Sequence, residues 1–240
     1  MPFKWASRRG PRAIHRNALA AFDERGRHMF AINHAATALV IKKIYPDVPL
    51  VWILISVQFM ELIWVVLNYL GIERTTTESK VTYVGDIHLA FMPYSHSVAT
   101  MGGAAILAWL VIGKDLGEPD IGAAVGMGIG SHLFLDLITH RRDIALVPAL
   151  NGPKLGLGLY ENLPVPAFIL EIGYGVFCWW VYKGSTALLT AIIAFNVANL
   201  SMFVRSIPGI ERGLANRPRL LATVILVQIV VTLVVVGLLS

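Results

Sequence analysis

From Leu220 to Leu239 the chain carries no charged residue, and six further stretches are nearly as apolar. Crossing a hydrocarbon core takes ~20 mostly apolar residues in a helix, with roughly 17–25 tolerated. The other stretches are Met29–Tyr45, which is short and holds His34; Val48–Leu70, with Glu61 inside; His96–Ile112; Ile121–His140; Leu163–Tyr182, with Glu171 inside; and Ser185–Phe203. Composition agrees: 56% of the chain is hydrophobic and 15% charged, where soluble domains carry roughly 25% charged residues. The expected fold is an all-α, polytopic membrane bundle of about seven transmembrane helices, or six if the first is re-entrant. Residues 1–28 read as a basic tail and residues 29–240 as the membrane domain. The tail lacks the apolar core of a secretory signal. Its segment Ala13–Phe22 reads either as a short amphipathic helix on anionic lipid or as plain basic chain. Pro148–Pro166 reads as a loop.

The basic residues orient the bundle, because cytoplasmic loops carry an excess of Lys and Arg. With seven spans and a cytoplasmic N-terminus, all but four of the 20 Lys and Arg residues lie inside; Lys42, Lys43, Lys114 and Lys183 are the exceptions. The net charge of +5 is then a topology signal, and no nucleic-acid partner is needed to explain it. One cysteine, Cys178, excludes both an internal disulfide and a Cys-rich metal site.

Five histidines, His34, His88, His96, His132 and His140, map to the cytoplasmic half of the bundle. The strongest local pattern is Ser131-His132-Leu133-Phe134-Leu135-Asp136-Leu137-Ile138-Thr139-His140. Positions four apart share a helix face, so His132 and Asp136 suit one metal ion. His132 and His140 are ~12 Å apart along a helix, too far to share an ion with ligand bonds of ~2.0–2.1 Å. His140 therefore reads as a supporting or capping residue, or as a ligand to a second ion with Asp136 between the two. Asp86 and His88 fall on one side of an extended segment. Pro93 ahead of His96 marks a helix start, with Ser95 as a candidate N-cap. Glu61 and Glu171 lie ~15 Å and ~12 Å deep, and His132 ~12 Å, at 1.5 Å per residue. Ionisable residues at such depth face a cavity, a partner or a substrate path. Each also has a plainer reading: interhelical hydrogen bonding for the histidines, pairing with Lys or Arg or a protonated, hydrogen-bonded state for Glu61 and Glu171, and an interfacial position for His140. Gln58, Asn68, Asn196 and Asn199 read as interhelical hydrogen-bonders.

At these positions the sequence resembles the bacterial membrane-bound metal-dependent hydrolases, the LexA-regulated inner-membrane hydrolase family. That family has an early His in its first helix, an acidic segment, a Thr-His-Ser, and a Ser-His-x-x-x-Asp-x-x-Thr run. Here His34, Asp86-Ile87-His88, Ser95-His96-Ser97 and Ser131 to Thr139 stand in those places. Phe91-Met92-Pro93-Tyr94 stands where the family has His-Arg-Gly. The resemblance spans about Asn33 to Arg142.

Residues and resemblance together suggest a metal-dependent hydrolase of the bacterial inner membrane, acting at its cytoplasmic face on a phospholipid or other lipid-linked ester or phosphoester. The expected metal ligands are His34, Asp86, His88, His96, His132 and Asp136. Glu61 and Glu171 are the candidate catalytic carboxylates, and Ser95, Ser97, Arg141 and Arg142 the candidate substrate contacts. The expected cofactor is one or two divalent ions, zinc first, with manganese or magnesium as alternatives. The competing readings are an ion or metal transporter and a non-catalytic membrane protein with a structural metal site. A transporter should carry ionisable residues from one surface to the other, and here the outer half is nearly bare of them.

Overall fold

A computed structural model describes residues 30–148 and 152–240. The basic tail, with its candidate amphipathic segment, lies outside the described residues. The chain is mostly helical. Five helices are long and apolar enough to cross a membrane: Leu50–Tyr69 (α2), Val98–Asp115, Pro119–Thr139 (α4), Pro164–Tyr182 (α6) and Pro218–Leu239 (α8). The second of these joins an α-helix, Val98–Leu110 (α3), to a π-helical turn at Val111–Asp115. Prolines start α4, α6 and α8, where a missing N–H costs nothing. Ser97 caps α3, its Oγ accepting from the Thr100 N–H.

Two of the expected spans are shorter. The sixth stretch forms a helix over Thr186–Ala198 (α7), which gives way at Asn199 to a 3₁₀ turn. The first forms Ala31–Ile44 (α1), which at 14 residues is ~21 Å long. This helix occupies the centre of the bundle, packed against α2, α4, α6, α7 and α8. Every residue from Ala31 to Leu39 is buried. Three alanines, Ala35, Ala36 and Ala38, let neighbouring backbones approach, and the interleaved polar residues Asn33, His34 and Thr37 face other helices rather than lipid.

The bundle is helical as expected, with two short strand pairs added to it, and five of the seven expected spans meet the length of a crossing helix. Arg74–Thr77 (β1) and Ile87–Phe91 (β2) form an antiparallel hairpin between α2 and α3. A second short pair, Ile144–Ala145 (β3) and Lys154–Leu155 (β4), lies between α4 and α6. The segment read as a loop also contains a one-turn helix, Leu159–Asn162 (α5). The run of β-branched Thr75, Thr76 and Thr77 favours strand over helix.

The apolar surface points outward on the peripheral helices. Ile106, Leu107 and Trp109 of α3, Phe134 of α4, Phe177 and Trp180 of α6 and Leu238 of α8 are all exposed. Exposed apolar area on this scale suits a hydrocarbon surround. Within the bundle, α2 and α4 cross closely because Gly128 has no side chain. A Cβ there would overlap Ser56 Oγ. That crossing sets Glu61 and His132 on adjoining faces.

Candidate metal centre

The antiparallel sense of successive helices brings four helix ends to one end of the bundle. They are the starts of α1 and α3 and the finishes of α2 and α4. His34 lies one turn into α1, His96 just ahead of α3, and His132 and Asp136 in the last two turns of α4. Glu61 is in the second half of α2. All five are buried, and His34, His96, His132 and Asp136 are completely so.

Asp136 is the hub. His132 Nε2 lies 3.3 Å and His96 Nε2 3.5 Å from its Oδ2; His140 Nε2 lies 3.7 Å and His34 Nε2 3.8 Å from its Oδ1. Glu61 Oε1 is 3.9 Å from His96 Nε2. The His34 and His132 rings stack at 4.1 Å. Neither Asp136 oxygen nor His132 Nε2 makes a hydrogen bond among the described residues, although all are buried. Buried polar atoms are nearly always satisfied. Donor atoms buried this close together, at ligand spacing, could hold a cation.

The spacing fits. Ligand atoms ~2.0–2.1 Å from a tetrahedral ion lie roughly 3.3–3.4 Å from one another. Two groups of donors can hold an ion: His34, His132 and Asp136, and Glu61, His96 and His132, each with ligand atoms within 4.8 Å of one another. Both include His132, whose Nδ1 is engaged by the Val57 carbonyl, which leaves Nε2 to serve either group. One nitrogen lone pair binds one ion, so the two groups are two sides of a single centre.

The outer ring nitrogens fix the tautomers. His132 Nδ1 donates to the Val57 carbonyl at 3.0 Å, and His140 Nδ1 to Asp143 Oδ1 at 3.1 Å. The Ser95 hydroxyl, 2.7 Å from His96 Nδ1, donates to Glu73 Oε2 at 2.5 Å. Ser95 therefore accepts from His96. Assigned this way from the hydrogen bonds, three imidazoles keep their protons on Nδ1 and aim the Nε2 lone pair at Asp136. Metal-binding histidines are held by such outward bonds.

His140 takes the capping role and belongs to neither donor group. It is the C-cap of α4, with φ −66° and ψ 147°, so it has left the helix and its ring folds back onto Asp136. A return loop clamps it there, Leu157 N–H donating to the Leu137 carbonyl and Gly158 N–H to the His140 carbonyl. The approach requires Gly156, at φ +139°, where a Cβ would overlap the Arg141 carbonyl.

Several expected site residues lie elsewhere. Asp86 is engaged by Thr82, accepting from its N–H and its hydroxyl at 2.7 Å each. His88, in β2, lies 3.0 Å from Glu78 Oε1 across the hairpin. Neither is in the donor groups around Asp136. Ser97, not Ser95, is the N-cap of α3, and Ser95 positions His96 instead. Arg141 is half-buried and Arg142 exposed at the mouth of the return loop. Glu171 accepts hydrogen bonds from Asn33 and Tyr160, so both its oxygens are engaged in a separate buried network that also includes Asn196. Burial, and after it the Glu171 carboxylate, holds the Tyr160 phenol well above its ordinary pKa, which keeps it a donor.

Glu73 went unnoticed in the sequence because an acid in a turn after a helix reads as solvated. It is 1% exposed and also accepts from the Tyr94 and Ser95 N–H groups at 2.8 and 2.9 Å. Glu73 is a positioning residue acting through Ser95 on His96. Glu73→Ala should weaken metal affinity by about 10–100-fold, and Glu73→Gln should recover part of it. Equal metal titrations for parent and Glu73→Ala would remove that role.

No family model matches the chain, and no curated protein or solved structure does either.

Proposed function

We propose that this chain is a metal-dependent hydrolase of the bacterial inner membrane, acting near its cytoplasmic face on a phospholipid or another lipid-linked ester or phosphoester. In this reading all seven apolar helices lie in the membrane with the N-terminus cytoplasmic, and the ion is zinc. The observation that carries it is the hub at Asp136, which has four histidines around it and bare buried donor atoms. The resemblance at Ser95-His96-Ser97 and Ser131 to Thr139 points the same way, since it includes His96, His132 and Asp136.

His34, His96, His132 and Asp136 would hold the ion. A divalent ion bound there supplies Lewis acidity toward an ester or phosphoryl oxygen and lowers the pKa of a bound water toward ~7. Glu61 is placed to accept a proton beside the ion, because it faces both His96 and the apolar cavity described below. The Nδ1 partners Val57, Asp143 and Ser95 keep the rings from rotating when charge changes at the centre. Gathering the donors at one end of the bundle, with no matching set at the other among the described residues, favours one-sided chemistry over transport.

The test is phospholipid proteoliposomes containing the zinc-loaded protein, assayed for released phosphate and fatty acid. Hydrolysis that disappears on chelation, returns with zinc, and is lost in His132→Ala is the expected result. A metal-loaded protein that releases neither product from any of the common bacterial phospholipids would overturn the reading.

A further inference from the structure

The bundle contains a cavity of about 370 Å³ walled by α2, α7 and α8 and closed at one end by the β1–β2 hairpin region. Of the residues around Asp136, only Glu61 lines it. Gln58, Glu61 and Trp64 reach it from one face of α2, spaced three apart as neighbours on a helix surface are. The α8 wall runs from Leu221 to Val231, ~15 Å of helix, which is the depth of one leaflet of a ~30 Å hydrocarbon core. Val227 and Val231 of that wall are 55% and 43% exposed, so the cavity adjoins the outer, apolar surface of α8. Its lining is otherwise mostly hydrophobic.

Besides Glu61 the wall carries polar side chains at Gln58, Asn199, Ser201, Glu211 and Gln228, and the Gln58 amide oxygen is unsatisfied. Gln58 is completely buried and its Nε2 donates to the Ala31 carbonyl at 2.7 Å. Its Oε1 accepts no hydrogen bond among the described residues. A long apolar cavity with one bare acceptor beside a carboxylate of the candidate centre matches an amphiphile. Pockets of this kind bind through apolar walls and orient through a few polar groups.

We infer that the cavity takes the hydrocarbon chain of a bilayer lipid, entering from the membrane beside α8, with the polar part of that lipid against Gln58 and Glu61. A hydrogen-bond donor on the lipid meets Gln58 Oε1. The inference deepens the proposed hydrolase reading by naming how a lipid substrate is held, and it rests on that reading only for the purpose of the site.

The test uses the full chain in phosphatidylethanolamine vesicles doped with a phosphatidylethanolamine that carries a diazirine in one acyl chain. After illumination, mass spectrometry maps the adducts. Adducts at Gln58, Trp64 or Ile229 are expected, because these side chains are buried and lipid outside the bundle does not reach them. Ile225→Trp, which fills the cavity, should lower that yield at least tenfold without changing the metal content. Adducts confined to exposed Val227, Val230 and Val231 would overturn the inference, as would an unchanged buried yield in Ile225→Trp of native metal content. If Ile225→Trp loses its metal, Val224→Trp from the same wall takes its place under the same criterion. His132→Ala protein separates the two claims, since it should lose metal and keep the buried adducts. Buried adducts without hydrolysis would defeat the hydrolase reading alone, and hydrolysis without them the lipid cavity alone.

Discussion

Asp136→Asn protein should lose metal affinity by more than about 100-fold, measured by zinc titration against a competing chelator. The substitution keeps the side-chain shape but removes an anion that sits within 3.8 Å of four imidazole nitrogens. Loss of a residue that only supports a ligand costs about 10–100-fold, so a larger loss distinguishes a direct ligand from a support. His88→Ala is the matched control. His88 is tied to Glu78 across the hairpin, and its removal should leave both metal content and affinity unchanged. Full metal affinity in Asp136→Asn would dismantle the centre described here.

The second large effect concerns stability rather than metal. Glu171→Ala should destabilise the bundle by about 3 kcal/mol. It removes two hydrogen bonds and strands the Tyr160 hydroxyl and one N–H of the Asn33 amide, which keeps its bond to Asn196, and each buried polar group left unmade costs about 1–3 kcal/mol. Interhelical hydrogen bonds within a membrane are individually modest, about 0.6 kcal/mol on average, so most of the effect comes from the orphaned donors. Thermal unfolding in detergent measures it, and the metal content of the folded variant should match the parent. A variant of unchanged stability would mean that the Asn33–Glu171–Tyr160 network is not what ties α1 to α6. A variant of parental stability that had lost its metal would return Glu171 to the site.

Helical spacing made part of this centre legible in the sequence. His132 and Asp136 are four apart in an apolar run, and a helix then dictates that they meet. Glu61 stood out because a carboxylate deep in an apolar stretch has few reasons to be there, and His96 because Pro93 and the serines around it announce a helix start. The rest depended on contacts that no spacing encodes. His140 lies four residues after Asp136, a spacing that did allow their contact, but the loop through Gly156 that folds against it was not in the spacing. Glu73 reaches Ser95 from 22 residues away, across a turn and a hairpin. Asp86 and His88 illustrate the opposite error. Their two-residue spacing suggested extended chain, and His88 does lie on a strand, but Asp86 meets Thr82 and His88 meets Glu78, and neither is in a donor group. The short α1 was legible as an uncertain span. Its central position, buried from Ala31 to Leu39, follows from packing by five other helices, which a hydropathy window does not see.

The central claim is a single ion held by histidines and Asp136, and X-ray absorption at the metal edge of the zinc-loaded protein tests it most directly. The account predicts a first shell of nitrogen and oxygen at ~2.0–2.1 Å, with the outer scattering of at least three imidazole rings, and no such bound-metal spectrum from His132→Ala, which loses the ion. A shell of oxygen alone, or a spectrum that His132→Ala leaves unchanged, would contradict it.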